Sequence, residues 1–113
     1  MPSDTNPAGD IFGGWIMSQV DLAGSVAATR YARSRVVTVA VHSFQFHQPV
    51  YVGDLVSCYA EVEKTGRTSL TVNVVVYAER DRREIETVKV TQASLVYVSI
   101  DEHRLPREIA LKD

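Results

Sequence analysis

The apolar residues in the first third of the chain recur at the spacing of an α-helix. Between Trp15 and Arg33 they fall three or four residues apart, at Ile16, Val20, Ala23, Ala27 and Tyr31. The other side of this stretch carries Met17, Gly24 and Ala28 where a surface helix would have Lys and Glu, and no Lys or Arg occurs before Arg30. A helix that is apolar on nearly every side is typically a buried one. The pattern therefore predicts one long helix that the rest of the domain encloses.

The rest of the chain has the alternation and the β-branched composition of strands. Four strands are predicted, over 36–46, 55–63, 69–79 and about 86–100. A hairpin signal at Lys64–Arg67 joins the second to the third, and the apolar phase of the last strand slips between Val90 and Leu95, as a β-bulge would produce. Residues 1–14 are loop-like, and the tail after Pro106 is expected to be frayed. One buried helix followed by antiparallel strands is an α+β arrangement, with a curved sheet around the helix.

Composition narrows the class of protein. The chain has 113 residues, the length of one domain, and its formal net charge of −2 argues against gripping nucleic acid or an anionic membrane. No uncharged apolar run approaches the roughly 20 residues of a membrane helix. Cys58 is the single cysteine, as suits a reducing cytosol, and three scattered histidines complete no zinc-ligand spacing. We therefore expect one cytoplasmic domain over residues 1–113, without a metal, a nucleic-acid partner or a membrane partner.

An acidic residue, Asp21, lies in the middle of the helix that is predicted to be buried. Helical geometry places Met17, Gly24, Ser25 and Ala28 on the same side, and none of these is a cation. An unpaired buried carboxylate costs several kcal/mol, so it either finds a partner or takes up a proton. A structural role, with the carboxylate bonded to a backbone amide or to a Ser or Thr hydroxyl, is the plain alternative. Because a helix interior has no spare amide and only Ser25 is near, the pattern favours a functional acid.

Two glycines, Gly13 and Gly14, stand where the same helix begins. Free N–H groups point outward at a helix N-terminus, and the missing Cβ atoms let a ligand carbonyl approach closely. A tight turn is the alternative explanation for such a pair. Asp21 is about 10 Å further along the helix axis than Gly14, so one small reacting centre cannot touch both within one chain. If both serve one reaction, the site must combine two copies related by a two-fold axis.

Four motifs stand in order along the chain. The run DTNPAGDIFGGWIM is followed by the acid at Asp21 and then by RVVTV, FHQPVYVGD and GRTS. Together, from about Pro2 to Ile100, they resemble the YciA-like acyl-CoA thioesterases of the hotdog superfamily. The resemblance implies a hotdog fold and an enzyme of fatty acyl metabolism that hydrolyses acyl-CoA to a carboxylic acid and coenzyme A. It also implies a homodimer with active sites at its interface, and we favour a hexamer built as a trimer of dimers.

The resemblance implies roles for particular residues as well. Asp21 would be the catalytic carboxylate, acting as base or nucleophile, and an amide of Gly13 or Gly14 would polarise the thioester carbonyl. Asn6 and Asp10 would line the same cleft, and coenzyme A would be bound only as part of the substrate, with no separate cofactor. The residues expected to contact it are Arg67, Thr68 and Ser69, with Arg35 nearby. We further expect Ser25, one turn beyond Asp21, to orient the carboxylate.

The chain departs from the family pattern in places. Family members usually carry a strand upstream of the Asn, but only five residues precede Asn6 here, so the sheet is expected to lack its usual first edge strand. The family commonly has an acidic residue where His42 stands and a more apolar one where His47 stands. If either histidine lines the acyl tunnel, substrate preference would differ from that of the family.

Two rival functions stay open. A hotdog dehydratase or hydratase would act on 3-hydroxyacyl thioesters, but that chemistry usually pairs a His with a carboxylate on the helix-start side, and no His precedes His42. A non-catalytic module that binds acyl-CoA without consuming it is the other candidate. The length of the acyl chain cannot be read from the sequence.

Overall fold

The structure, a computed structural model, describes residues 10–11, 13–51, 53–81 and 85–109. Its elements, in chain order, are β1 (Asp10–Ile11), α1 (Gly13–Ala32), β2 (Arg35–Phe46), β3 (Val50–Tyr51), β4 (Leu55–Thr65), β5 (Ser69–Asp81) and β6 (Ile85–Ile100). The predicted helix and the four predicted strands are confirmed, with ends that differ by a few residues. The missing first edge strand, which concerns the residues before Asn6, lies outside the described residues.

The four long strands form one antiparallel sheet in the order β2-β6-β5-β4. Alternate residues of β5 are buried, as the alternation predicts, and α1 packs on the same face through Ile16, Val20 and Ala28. β1 and β3 form a separate two-stranded pair. The arrangement is the α+β fold expected, with one helix laid across a curved antiparallel sheet.

The predicted bulge in the last strand is confirmed at Val90. The pairing of β5 with β6 passes from Val76 opposite Thr91 to Tyr77 opposite Lys89, which leaves Val90 without a partner in that ladder. Its carbonyl instead accepts a hydrogen bond of 2.7 Å from the His47 amide. β2 has two further irregularities against β6 that the sequence does not predict.

The prediction that the whole helix is enclosed is wrong for a single chain. Four apolar side chains of α1 stay 40–59% exposed, namely Trp15, Met17, Leu22 and Val26. Three of them, Trp15, Leu22 and Val26, lie on one stripe because they are seven and four residues apart. One sheet covers only one side of a helix, so the other side of α1 is left as an apolar surface.

The prediction of a frayed tail is wrong as far as Ile109. The Asp101 carboxylate accepts hydrogen bonds from the amides of His103 and Leu105, at 2.8 and 3.0 Å, which closes a turn. The chain then returns along the sheet, where the Ile109 amide donates to the Arg67 carbonyl at 2.8 Å. Ile109 packs against the core, so the polar turn at Asp101 folds the tail back.

Candidate active site

The Asp21 carboxylate is half-buried and is held by two hydroxyl groups of the sheet. The Thr38 hydroxyl on β2 donates to Oδ1 at 2.7 Å, and the Tyr97 hydroxyl on β6 lies 3.0 Å from the same oxygen. The Tyr97 hydroxyl is also 3.0 Å from the backbone carbonyl of Asp21. Both hydrogen bonds that the described residues give the carboxylate therefore go to one oxygen. Oδ2 is the oxygen left for a substrate or a water.

Tyr97 keeps its proton in this position. Its side chain is fully buried, and burial, followed by the hydrogen bond and the negative charge of Asp21, raises the pKa of Tyr97 well above its usual value near 10. A tyrosine that keeps its proton has a hydrogen to donate to the Asp21 carboxylate. Tyr97 therefore acts as a donor to Asp21 and helps to fix its orientation.

Gly24 makes this contact possible. A Cβ atom at position 24 would overlap the Tyr97 hydroxyl oxygen, far inside van der Waals distance. Glycine in a helix interior costs about 1 kcal/mol relative to alanine, so it persists there only for a reason such as close approach. The space above Gly24 is where the tyrosine reaches the helix.

Gly24→Ala is expected to destabilise the fold by about 1–3 kcal/mol, the usual cost of overpacking, although the same change in an open helix would stabilise it. It should also lower activity, because Tyr97 must leave Asp21. Thermal unfolding and steady-state kinetics test both effects. Thr29→Ala, at an exposed position of the same helix, is the matched control. A gain of stability in Gly24→Ala would contradict this close packing of Tyr97 against the helix.

A groove of about 260 Å³ opens beside the carboxylate. Its lining combines Asp21 and the hydroxyls of Ser18 and Thr38 with apolar side chains, namely Met17, Val41, Phe44 and Leu95. Three of the seven described lining residues are polar, and the other four are apolar. The arrangement suits a ligand that carries a polar reacting centre on an apolar chain.

Ser25 does not orient Asp21, contrary to the prediction. Its hydroxyl donates to the Leu22 carbonyl at 2.9 Å, within the helix. Helical spacing placed Ser25 near Asp21, but a serine in a helix commonly bonds a carbonyl of the preceding turn. The residues that take its expected role, Thr38 and Tyr97, were missed by the sequence analysis. Gly24 was the available signal, since a glycine inside a buried helix points to close approach by another group.

The helix begins at Gly13, two residues before the predicted stretch from Trp15, so the amides of Gly13 and Gly14 belong to its first turn and not to the preceding loop. First-turn amides have no partner within a helix. The backbone of Asp10 lies in β1, where it pairs with Tyr51 of β3, and the helix begins three residues later along the chain, at Gly13. Asn6 lies outside the described residues. The structure thus places a pair of amides at one end of α1 and the Asp21 carboxylate in its middle.

The residues predicted to contact coenzyme A meet at one end of the sheet. Arg35 pairs with Ile100 at the end of β6, and on the other side of β6 the Ser99 amide donates to the Thr68 carbonyl at 2.8 Å. Ser69 follows at the start of β5, and the Arg67 side chain is 85% exposed beside Glu108. Two strand spacings, about 10 Å, separate Arg35 from this turn.

Neither histidine of interest is among the residues that line the groove. His42 is an exposed residue of β2, and His47 is exposed just beyond that strand. Among the described residues, no group of three His, Cys, Asp or Glu side chains is placed to hold a metal ion. In the same part of the chain, no helix is long and apolar enough to cross a membrane.

The chain is similar to known proteins over nearly its full length. A model of the thioesterase superfamily matches residues 8–85. The acyl-CoA thioester hydrolase YciA of Escherichia coli K12 is 43% identical over 114 residues, which cover 99% of this chain and 86% of that protein. The YciA of Salmonella typhimurium is 44% identical, with the same coverage.

Solved structures agree with these relatives. A hexameric hotdog fold thioesterase of Campylobacter jejuni has a TM-score of 0.88 and 46% identity, covering 97% of this chain and 84% of that one. A hexameric thioesterase from Yersinia pestis has a TM-score of 0.90 and 43% identity, covering 98% and 90%. The chain therefore belongs to the thioesterase superfamily, with the hotdog fold, among the YciA-like acyl-CoA thioester hydrolases.

Proposed function

We propose that this chain hydrolyses acyl-CoA thioesters to a free carboxylic acid and coenzyme A, with Asp21 as the catalytic carboxylate. The observation that carries the proposal is the position of Asp21. One of its oxygens is held by Thr38 and Tyr97, and the residue lines a groove whose remaining wall is mostly apolar. A carboxylate oriented through one oxygen has the other available for chemistry.

Two chemical roles fit Oδ2. As a general base it would take a proton from a water molecule, whose oxygen attacks the thioester carbon while the C–S bond breaks and the thiolate is protonated. As a nucleophile it would attack the carbonyl carbon itself and release coenzyme A, and water would then hydrolyse the mixed anhydride. The apolar wall beside Asp21 would hold the acyl chain in either case.

The carbonyl oxygen becomes negative in both routes and needs donors that Asp21 cannot supply. The amides of Gly13 and Gly14 are such donors, and one well-placed donor is typically worth about 3 kcal/mol in the transition state. They stand about 10 Å along the axis from Asp21 of the same chain. The donors would therefore come from a second copy, so each site is shared between two subunits.

Three features support a homodimer. The stripe of Trp15, Leu22 and Val26 leaves α1 with an apolar surface that its own sheet does not cover. β2 is an edge of the sheet, and its Val39 and Val41 are about half exposed. The relatives from Campylobacter jejuni and Yersinia pestis are described as hexameric. We infer a dimer in which a second copy covers these surfaces, assembled further as a trimer of dimers.

Coenzyme A would lie at the end of the sheet that carries Arg35 and the turn of Arg67, Thr68 and Ser69. A related acyl-CoA hydrolase from Staphylococcus aureus was solved with butyryl coenzyme A and coenzyme A. It is 26% identical to this chain, with a TM-score of 0.85, and the match covers all of this chain and 71% of that protein. Coenzyme A would be part of the substrate, and no separate cofactor is proposed. Asn6 and Asp10 stay candidates for the same cleft, and a cytoplasmic location stays a prediction.

Arg67→Ala is expected to raise KM several-fold and to leave kcat within about twofold, because a phosphate contact acts equally on the ground state and the transition state. The ion pair of Arg67 with Glu108 is exposed and contributes little stability, so folding should not change. Lys89→Ala, at the other end of β6, is the control. A fall in kcat with unchanged KM would contradict a binding role.

One mixing experiment tests the function itself. The protein is incubated with a series of acyl-CoAs and 3-hydroxyacyl-CoAs of increasing chain length, and the products are identified by mass spectrometry. The proposal predicts free acid and free coenzyme A. Loss of water from the hydroxylated substrates would identify a dehydratase instead, and unchanged ligand that stays bound would identify a binding module.

A further inference from the structure

A buried ion pair, Arg80 with Asp54, lies outside the Asp21 groove. The Arg80 side chain on β5 is 8% exposed and that of Asp54 is 6% exposed, and Nε of Arg80 donates to Oδ2 of Asp54 at 3.1 Å. The Arg80 guanidinium also donates to the Pro49 carbonyl and stacks over the Tyr51 ring, 4.8 Å from its centroid. Its contact with Glu86 is longer, at 3.8 Å, and that partner is exposed.

Almost every contact of this pair falls on one short segment of the chain. The same oxygen of Asp54 accepts a hydrogen bond of 2.9 Å from the Tyr51 amide, and the Asp54 amide donates to the Tyr51 carbonyl at 3.0 Å. Pro49, Tyr51 and Asp54 flank or belong to β3. The guanidinium, anchored on a central strand, therefore fixes both ends of β3.

β3 in turn carries the entry to the helix. In the described part of the chain β3 pairs with β1 alone, with Tyr51 opposite Asp10 and Val50 opposite Ile11. Val50 is buried, so this pairing is tied to the core. Helix α1 begins at Gly13, two residues after β1 ends. A series of contacts thus runs from Arg80 through β3 to β1, and the first amides of the helix follow β1 within three residues along the chain.

Stability alone is a poor reason for such a pair. Burying two charges is expensive, and well-packed apolar residues of similar volume often serve as well or better. What an apolar pair cannot do is hold two backbone groups and a carboxylate in fixed directions. Placement of backbone matters most where an error of about 1 Å changes the rate, as at the donors of an oxyanion.

We propose that Arg80, paired with Asp54, is a positioning residue for the Gly13 and Gly14 amides, acting through β3 and β1. The inference rests on the proposed function, because it assigns those amides to the thioester carbonyl. Arg80 touches no reacting atom. Its effect should therefore appear in kcat and should depend on the amides being present.

The test combines kinetics with amide hydrogen exchange on the full chain. Arg80→Met removes the positive charge. Arg80→Lys keeps the charge but loses the separate guanidinium nitrogens that bond Asp54 and Pro49. Glu86→Gln removes only the charge of the exposed carboxylate partner. Both Arg80 variants are expected to lower kcat by about 10- to 100-fold with KM within about threefold, and to speed exchange at the amides of residues 10–11 and 50–51 by tenfold or more. Exchange in the centres of β5 and β6 should stay slow, and Glu86→Gln should match the unmodified protein.

A double-variant comparison separates positioning from general weakening. Proline at position 13 or 14 deletes one amide hydrogen, and the more damaging of Gly13→Pro and Gly14→Pro is combined with Arg80→Lys. If Arg80 acts through the amides, Arg80→Lys should cost less than about threefold in that background. A full, multiplicative loss in the double variant would overturn the inference. So would wild-type exchange at residues 10–11 and 50–51 in Arg80→Lys, which is the deciding variant if Arg80→Met does not fold.

The exchange measurement uses no substrate, so the two failures differ. If the unmodified protein leaves every acyl-CoA intact, the proposed function fails. If the protein is active and the Arg80 variants keep its kcat or its exchange at residues 10–11 and 50–51, the positioning role fails.

Discussion

Asp21→Asn is expected to lower kcat for a good acyl-CoA substrate by about 10²- to 10⁴-fold, the range that a general base or nucleophile usually supplies. The asparagine side chain has the shape of aspartate but can neither accept a proton from water at neutral pH nor attack the thioester. Thr38 and Tyr97 can still donate to its amide oxygen, so the fold should be kept. Asp21→Ala should lose as much activity.

Glu61→Gln is the control for loss of a negative charge, since Glu61 is exposed on β4. Asp21→Asn and Glu61→Gln should both have the same oligomeric mass and the same cooperative unfolding as the unmodified chain. Single-turnover hydrolysis in ¹⁸O-labelled water distinguishes a general base from a nucleophile, because only a mixed anhydride can deliver label to the Asp21 carboxylate. Near-normal turnover of Asp21→Asn in an intact assembly would remove Asp21 from the mechanism.

Deleting an amide hydrogen at the helix start is expected to have the second-largest effect. Proline is tolerated in the first turn of a helix, where its missing N–H has no helical partner, so Gly13→Pro or Gly14→Pro can remove a donor without breaking α1. The variant that loses the oxyanion donor should fall about 10²- to 10³-fold in kcat, the usual cost of one such donor.

Alanine at the same positions is the matched comparison, because Gly13→Ala and Gly14→Ala keep the N–H and add only a methyl group. Circular dichroism and kinetics on all four variants separate the two effects. We expect the alanine variants to retain clearly more activity than the damaging proline variant. Equal losses for alanine and proline would show that the glycines provide space for the substrate and not donors.

Periodic patterns predicted the elements well, because burial on one side repeats along a helix or a strand. The bulge at Val90 was visible for the same reason, since an extra residue reverses the apolar phase of β6. The partners of Asp21 were not visible. Thr38 is 17 residues away and Tyr97 is 76 residues away, so only the packing of the sheet under the helix brings them together. Ser25 was predicted in their place because helical spacing identifies only neighbours on the same helix and not side chains that the sheet brings close.

The prediction of a fully enclosed helix was wrong for a physical reason. An apolar residue at a position such as Leu22 indicates that the position is buried in the functional protein, but not whether the same chain or a second copy buries it. The pattern of α1 therefore includes apolar residues that its own sheet leaves exposed, as we expect of a helix that a second copy covers in the proposed dimer. The buried pair of Arg80 and Asp54 was missed because charged residues near turns usually face solvent.

Subunit mixing tests the shared site most directly. Asp21→Asn and the more damaging helix-start proline variant are each expected to be nearly inactive, and the two are expressed together or unfolded and reassembled in equal amounts. If each site takes its acid from one subunit and its amides from the other, half of the dimers are mixed and one of their two sites is intact. The mixture should then recover about one quarter of the unmodified activity. A mixture that never exceeds its two components would show that each site is built within a single chain.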